Sequence, residues 1–177
     1  MNQKTIFSII VLLIVTLPCM YSCSSIPKGA TAVTPFNKDK YLGKWYEIAR
    51  MDFRFEKNMD HTTAEYSMRS DGKIKVVNRG FKTTKNKNKV AVGKAKFRGD
   101  NNVGALKVSF FGPFYAAYNV IAIDDNYRYA LVAGKNLHYL WILSREKTIP
   151  EEIKKDYLKQ AQAIGFNTEE LVWVKQD

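Results

Sequence analysis

The residues of this chain that could perform chemistry are few and widely spaced. There are two histidines, His61 and His138, and two cysteines, Cys19 and Cys23, which lie near the N-terminus. The sequence contains no His-x-x-x-His, Cys-x-x-Cys or Asp-x-Asp-x-Asp-Gly spacing, and these are patterns that supply zinc and calcium ligands. We therefore predict no catalytic centre, no metal site and no cofactor. The sequence favours a binding protein over an enzyme.

Cys23 is expected to be modified covalently. A short basic region precedes the apolar run 6–20, which is typical of a secretory signal because a membrane-spanning helix needs about 20 apolar residues. The run ends in Met20-Tyr21-Ser22-Cys23, which resembles a lipobox because a small residue directly precedes the cysteine. We predict a lipoprotein signal peptide at residues 1–22, then a lipidated N-terminus and tether at residues 23–35. An ordinary signal peptide cleaved nearby, which would leave Cys23 as a thiol, is the alternative.

The positive charge is concentrated in one stretch. The chain has 28 Lys and Arg residues against 17 Asp and Glu, a net charge of +11. Residues 82–98 contain no acid and attract anionic surfaces. In an exported protein those surfaces are lipid head groups and not nucleic acid. The alternative is a solvent-exposed hairpin whose lysines only keep it soluble. The basic residues of this stretch are Lys82, Lys85, Lys87, Lys89, Lys94, Lys96 and Arg98.

Short strands separated by turn residues predict an all-β fold. Asp71-Gly72 is a strong hairpin signal between the strand-like runs 62–69 and 74–81. With a first strand around Trp45, the pattern gives eight strands in meander order, and a barrel of eight strands is just wide enough to hold one small ligand. The remaining turn-rich breaks are residues 85–88, 99–102, 112–113, 124–126 and 134–136.

One helix is predicted after the last long strand. Thr148-Ile149-Pro150-Glu151 has the form of a capping box with Pro in the first turn. Apolar residues recur along one face between Ile149 and Ile164, and Gly165 provides the C-cap. We expect this helix to pack on the outside of the barrel, followed by a short final strand at residues 170–174.

Two features near the first strand concern the barrel interior. Alternation from Trp45 places Glu47 and Ala49 on the same inward face, and an inward carboxylate is costly unless it is paired. Glu47 is therefore expected to be paired, or to contact a ligand. The loop at residues 53–60 is long and apolar, which predicts a lid over the barrel or a segment packed onto it.

Gly43 and Trp45 open the first strand and Arg145 closes the last long one, so that in a closed barrel the guanidinium can lie over the indole. This pattern resembles the lipocalins. The resemblance is more specifically to the bacterial lipocalins, which are outer-membrane lipoproteins. The runs that carry this closer similarity are residues 43–50, 105–123 and 139–145.

The resemblance implies an eight-stranded antiparallel up-and-down β-barrel over residues 36–177, with the C-terminal helix outside and a short final strand. It implies that Gly43, Trp45 and Arg145 form a structural motif. It also implies that the barrel stores or transports a small amphiphile. A lysophospholipid or a fatty acid is favoured, because a diacyl phospholipid would strain a cavity of this size.

Ligand-contacting residues follow from strand phase and from the resemblance. Alternation back from Arg145 groups Trp141 and Tyr139 on one face, where they can line a pocket. Tyr115 and Tyr118 are three positions apart, so they fall on opposite faces unless a bulge shifts the register. Following the resemblance, Tyr115 and Trp141 are the expected ligand-contacting pair, and Tyr118 and Tyr139 are the next candidates.

The resemblance places the protein at the outer membrane, anchored through Cys23 and facing the periplasm, with residues 82–98 as a further membrane contact. Ser24 agrees, because an Asp there would indicate inner-membrane retention. A homodimer is left open. The competing hypothesis is an envelope scaffold whose filled barrel carries no ligand. Small residues on neighbouring strands favour a void instead, namely Ala116, Ala117, Ala122, Ala130 and Ala133.

Overall fold

The computed structural model describes residues 25–177, so the predicted signal peptide and Cys23 lie outside the described residues. The strands of the described chain are β1 (Gly43–Met51), β2 (Met59–Met68), β3 (Ile74–Lys82), β4 (Lys87–Phe97), β5 (Ala105–Phe111), β6 (Phe114–Ile123), β7 (Tyr129–Ala133), β8 (Leu140–Ser144) and β9 (Leu171–Trp173). Each of the first eight pairs antiparallel with its neighbour in sequence, and β1 also pairs with β8. The predicted eight-stranded barrel is therefore confirmed, with β9 bonded outside it to β1.

The two ends of the barrel differ. We call one end the mouth, formed by the loops at residues 52–58, 83–86, 112–113 and 134–139. We call the opposite end the base. The short helix α1 (Lys38–Tyr41) lies at the base, where its buried tyrosine packs into the inner apolar cluster.

Arg145 and Trp45 meet at the base. The guanidinium carbon of Arg145 lies 3.8 Å from the centroid of the Trp45 ring, within the range of a cation–π contact. Gly43 has φ +94°, and a Cβ atom there would lie 3.3 Å from Nη1 of Arg145, so glycine suits this close approach. The guanidinium also donates hydrogen bonds to the backbone carbonyl groups of Lys40, Tyr41, Leu42, Lys44 and Tyr127.

Alternation along the strands produces two apolar clusters, one inside the barrel and one between the barrel and the helix α2 (Glu151–Ile164). The helix packs outside the barrel as predicted, and Gly165 ends it at φ +106°. The predicted capping box does not form. Pro150 precedes the helix without a side-chain capping hydrogen bond, and the Thr148 carbonyl accepts a hydrogen bond from Ser144. In residues 25–177 no helix is long and apolar enough to cross a membrane.

A β-bulge in β1 changes which side chains face the interior. The register of β1 against β8 shifts between Glu47 and Ala49, so Ile48 is the extra residue. Glu47 is directed inward, but Ala49 belongs to the outer cluster and Arg50 turns inward to meet Glu47. The prediction that Ala49 shares the face of Trp45 is therefore wrong, because regular alternation stops at the bulge.

The N-terminal residues 25–35 lie against the barrel. The backbone N–H of Val33 donates to a carbonyl of β6 at 2.9 Å, and the side-chain amide of Asn119 donates to the Ser25 carbonyl at 2.9 Å. The segment predicted as a tether is thus attached to the folded domain from Ser25 onward.

Candidate ligand-binding site

Trp141 is the centre of an aromatic cluster near the mouth. It faces the interior, where it packs against the inner cluster and stays partly exposed. Tyr139 stacks on it with ring centroids 6.3 Å apart, and Phe53 makes edge contacts with both rings at 5.5 and 5.6 Å. Nε1 of Trp141 donates a hydrogen bond of 3.0 Å to Oε2 of Glu56. The loop predicted as a lid therefore contacts the wall of the barrel through two side chains.

Tyr118 joins a chain of three tyrosine hydroxyl groups inside the barrel. Its hydroxyl oxygen lies 2.6 Å from that of Tyr41 and 2.8 Å from that of Tyr66. Burial raises the pKa of all three, so the hydroxyls stay protonated at neutral pH. Two mutual hydrogen bonds use two of the three protons. One O–H is therefore left to donate to another acceptor, such as a ligand.

A buried ion pair lies between the bulge and the lid loop. Nη1 of Arg50 lies 2.7 Å from Oε1 of Glu47, and both side chains are buried. Burial raises the pKa of Glu47, and the Arg50 guanidinium opposes that increase. Nη2 of Arg50 donates to the carbonyl groups of Glu56 and Met59, which ties the lid loop to β1. Glu47 is therefore paired, and the pair adds no net charge to the interior.

Glu56 is a second carboxyl group at this point. Burial raises its pKa to about 8, and the negative charge of Glu47 adds to the increase. The hydrogen bond from Trp141 and the charge of Arg50 act in the opposite direction. Glu56 is therefore mostly protonated at neutral pH, so it can stand beside Glu47 without strong repulsion.

Small inward side chains border a space inside the barrel. In the regular register of β2, β3 and β4, Ala64 faces Asn78, and Asn78 faces Ala91. These residues share the inward phase of Val76, which belongs to the inner cluster. Ala91, and Ala116 on β6, are exposed although they face inward. The space that they border is thus open to solvent.

The predicted alanine set divides between the two faces of the sheet. Ala130 packs in the inner cluster, and Ala116 pairs with an inward residue of β5. Ala122 and Ala133 instead pack in the outer cluster, and Ala117 is out of phase with Ala116. Only Ala130 and Ala116 bear on the volume of the cavity, so the prediction was wrong for the other three alanines.

Tyr115 lies on the outer face of β6, out of phase with the inward Tyr118. Its ring packs against the ammonium groups of Lys96 and Lys107, which lie 5.3 and 5.6 Å from its centroid. The register shift in this hairpin falls in β5, so it leaves the alternation of β6 intact. In contrast to the prediction, Tyr115 does not pair with Trp141 inside the barrel.

Neither histidine takes part in the interior site. His61 and His138 are both exposed. Among the residues that the structure describes, no group of three or more His, Cys, Asp or Glu side chains could hold a metal ion. The polar groups of the interior can therefore bind and orient a ligand through hydrogen bonds.

Sequence reasoning missed three residues of this site. Arg50 was missed because its inward direction depends on the bulge, which the alternation of residue types does not reveal. Glu56 lies in the loop predicted as a lid, but nothing in its neighbours predicts a partner on β8. Tyr41 reaches the interior through α1, a helix too short to give a periodic signal.

Comparisons with known proteins agree with this architecture. A family model described as a lipocalin-like domain matches residues 36–176. The chain is 53% identical over 157 residues to the outer membrane lipoprotein Blc of Citrobacter freundii, a match that covers 88% of this chain and 89% of that protein. It is 43% identical over 167 residues to the protein of the same name from Vibrio cholerae, covering 94% of this chain and 98% of that protein.

The fold is also found in solved structures. Insecticyanin from the tobacco hornworm Manduca sexta superposes with a TM-score of 0.70 at 20% identity, covering 85% of this chain and 86% of that one. Lobster apocrustacyanin A1 gives a TM-score of 0.67 at 19% identity, covering 87% and 92%. At these identities the likeness concerns the barrel alone.

Proposed function

Since this chain belongs to the lipocalin family, as an outer-membrane lipocalin, we propose that its barrel binds one small amphiphile, a lysophospholipid or a fatty acid, and stores or transports it. Lipocalins are in general binding and transport proteins rather than enzymes. The observation that carries the proposal is the interior beside Trp141, where inward side chains border a space open to solvent.

The interior suits an acyl chain. Trp141 offers a large apolar wall, and the small inward side chains of Ala64, Ala91 and Ala116 leave room in the interior. Burying apolar surface stabilises a complex by about 25 cal/mol per Å². The spare hydroxyl of the tyrosine chain around Tyr118 gives one polar contact within this apolar space.

The charges favour a lysophospholipid over a free fatty acid. Arg50 is matched by Glu47, and the carboxyl group of Glu56 is mostly neutral, so these deeply placed groups offer no net positive charge to a fatty-acid carboxylate. Lys89, which shares the inward phase of Ala91, lies nearer the mouth. Lysines are numerous at the mouth, in particular Lys85 and Lys87. A charged phosphate is better placed there, with its acyl chain inside the barrel.

The anchor of the protein belongs to the same proposal. Acylation at Cys23 would hold the barrel at the outer membrane, on its periplasmic side, because two or more acyl chains anchor a protein stably. A Cys23→Ser variant should then lose metabolic labelling with palmitate and leave the membrane fraction. Labelling that persists in this variant would contradict acylation at Cys23.

Tryptophan fluorescence tests ligand binding directly. We would titrate the delipidated domain with a lysophospholipid beside two variants, Trp141→Phe and Trp173→Phe. Trp173 is 43% exposed and lies outside the barrel on β9, so it is the matched control. We expect a saturable change in emission at micromolar lipid or below that disappears only in Trp141→Phe. A folded protein with no saturable change would instead favour the scaffold hypothesis, in which the barrel carries no ligand.

A further inference from the structure

Four large apolar side chains are exposed at the mouth, and we call them the mouth patch: Phe55, Phe111, Phe114 and Leu137. The three phenylalanines are 65%, 71% and 78% exposed, and the rings of Phe55 and Phe111 contact each other with centroids 6.4 Å apart. Phe111 and Phe114 pair across one mouth hairpin, Phe55 comes from a second mouth loop, and Leu137 comes from a third, beside Gly165 at the end of α2. Contiguous exposed aromatic residues of this kind mark an interaction surface.

The mouth is also the basic end of the barrel. Its acidic residues are Asp52, Asp60, the mostly neutral Glu56 and Glu170, which lies beside Asp52. Charges of both signs alternate at the base, for example where Asp71 pairs with Arg69 and Lys73. The basic residues in or next to the mouth loops are Arg54, Lys57, Lys82, Lys85, Lys87, Lys89 and Lys135.

The start of the described chain lies beside the middle of β6, next to the first residue of one mouth loop. The side-chain amide of Asn119 donates to the carbonyl of Ser25 at 2.9 Å and to that of Gly134, the first residue of a mouth loop, at 3.1 Å. Cys23 is two residues before Ser25, so chain geometry allows it at most about 7 Å of further reach. An acyl anchor at Cys23 would therefore begin beside the wall of the barrel, within reach of that mouth loop. A free tether over residues 23–35 would have left the barrel able to turn either end to the membrane.

We propose that the mouth of the barrel docks on an anionic phospholipid bilayer, with the mouth patch inserted at the interface and the mouth lysines over the head groups. Aromatic side chains partition into this interfacial region, and each basic residue near an anionic surface adds to the attraction. In this orientation the opening of the cavity faces the bilayer, so an amphiphile passes between lipid and barrel without crossing water. The inference adds an orientation to the proposed function, and it rests on that function only for the identity of the cargo.

Fluorescence quenching by the bilayer tests the orientation. The full-length protein, purified from membranes with its anchor, would be reconstituted into vesicles of phosphatidylethanolamine and phosphatidylglycerol that contain a nitroxide-labelled lipid. Single thiols would be introduced as Leu137→Cys at the mouth and Met68→Cys at the base, and labelled with an environment-sensitive fluorophore. The two positions are a matched pair, because Leu137 is 40% and Met68 is 42% exposed.

We expect the label at position 137 to be quenched at least threefold more than the label at position 68. Equal quenching, or stronger quenching at position 68, would overturn the proposed orientation. A second variant that combines Phe55→Ser, Phe111→Ser and Phe114→Ser should at least halve the quenching at position 137. The control pair Val90→Ser and Val92→Ser, which alters exposed residues of β4, should leave it unchanged.

The result is independent of ligand binding. If the triple variant folds poorly, the comparison of positions 137 and 68 in the otherwise unaltered protein still decides the question. Lysophospholipid titration reports on the interior through Trp141, so docking and ligand binding can fail separately. If the mouth docks on the bilayer but lysophospholipid gives no saturable titration, the proposed orientation would be supported and the proposed ligand would be contradicted.

Discussion

The 3.0 Å hydrogen bond from Nε1 of Trp141 to Oε2 of Glu56 joins the wall of the barrel to the loop over its mouth. Arg50 holds the same loop, since it donates to the backbone carbonyl groups of Glu56 and Met59. Opening the loop therefore breaks contacts with both residues. Because Glu56 is mostly protonated at neutral pH, the closed loop adds little charge to the interior.

Glu56 should make the loop sensitive to pH. Its pKa is about 8 in the closed loop and close to the ordinary value of 4.5 once the loop opens, so the closed state binds the proton more tightly. This stabilisation of the closed loop is fully present below about pH 4.5 and is lost as the pH rises through about 8. Hydrogen exchange of residues 53–58, corrected for intrinsic rates, should therefore show more loop opening at pH 9 than at pH 6. These two pH values lie roughly a unit or more on either side of the pKa of Glu56.

The Glu56→Gln variant is the control for that prediction. A glutamine retains an oxygen that can accept the hydrogen bond from Trp141, but it does not titrate. Its loop exchange, corrected in the same way, should be nearly independent of pH. A variant that keeps the pH dependence of the unaltered protein would show that another group controls the loop.

Removal of one partner of the Glu47–Arg50 pair should destabilise the barrel strongly. Arg50→Met leaves the carboxyl group of Glu47 buried without its partner, a change that costs about 3–5 kcal/mol in the free energy of unfolding. Urea unfolding followed by circular dichroism measures this difference.

The double variant Glu47→Leu/Arg50→Met separates the cost of an orphaned charge from the value of the pair. Replacing a buried pair by apolar residues is often neutral or stabilising, so we expect the double variant to be at least as stable as Arg50→Met. If the double variant were less stable than Arg50→Met, the pair itself would be the stabilising element. The stabilisation supplied by the pair would then exceed the cost of leaving the Glu47 carboxylate unpaired.

Arg145→Lys should weaken the base although it preserves the charge. Lysine has one ammonium group, so it cannot reach the several carbonyl groups that the planar guanidinium contacts while lying over Trp45. We expect a loss of about 2–4 kcal/mol in the free energy of unfolding. The exposed Arg128→Lys is the control, with an effect within about 0.5 kcal/mol. Equal stability of the two variants would contradict a special role for the guanidinium geometry.

The fold followed from local signals. Turn residues such as Asp71-Gly72 mark the hairpins, and Gly72 has the positive φ of +74° that the turn requires. The contact between Trp45 and Arg145 was expected because residues at the two ends of a closed barrel must meet. The helix after β8 was predicted correctly from its apolar face, since that face depends on residue spacing alone.

The site was predicted less completely, because it depends on irregular backbone. Trp141 and Tyr118 face the interior, since strands β8 and β6 keep regular alternation around them, and their contact with a ligand stays a prediction. Tyr115 faces outward because the same regular alternation of β6 includes it, whereas the resemblance implied that Tyr115 contacts the ligand. Arg50 depends on a bulge, which is defined by pairing between distant strands and not by neighbouring residue types.

Ala116 and its neighbour Ala117 provide a test of the cavity within one strand. Ala116 faces the interior and borders the space beside Trp141, whereas Ala117 faces outward. Ala116→Phe fills that space, so we expect at least a tenfold loss of lysophospholipid affinity, equal to about 1.4 kcal/mol. Ala117→Phe adds the same volume outside and should leave affinity unchanged. Both affinities are measured by titration of tryptophan emission. If both variants bound lipid like the unaltered protein, the ligand would have to lie outside the barrel, because the interior would no longer have room for an acyl chain.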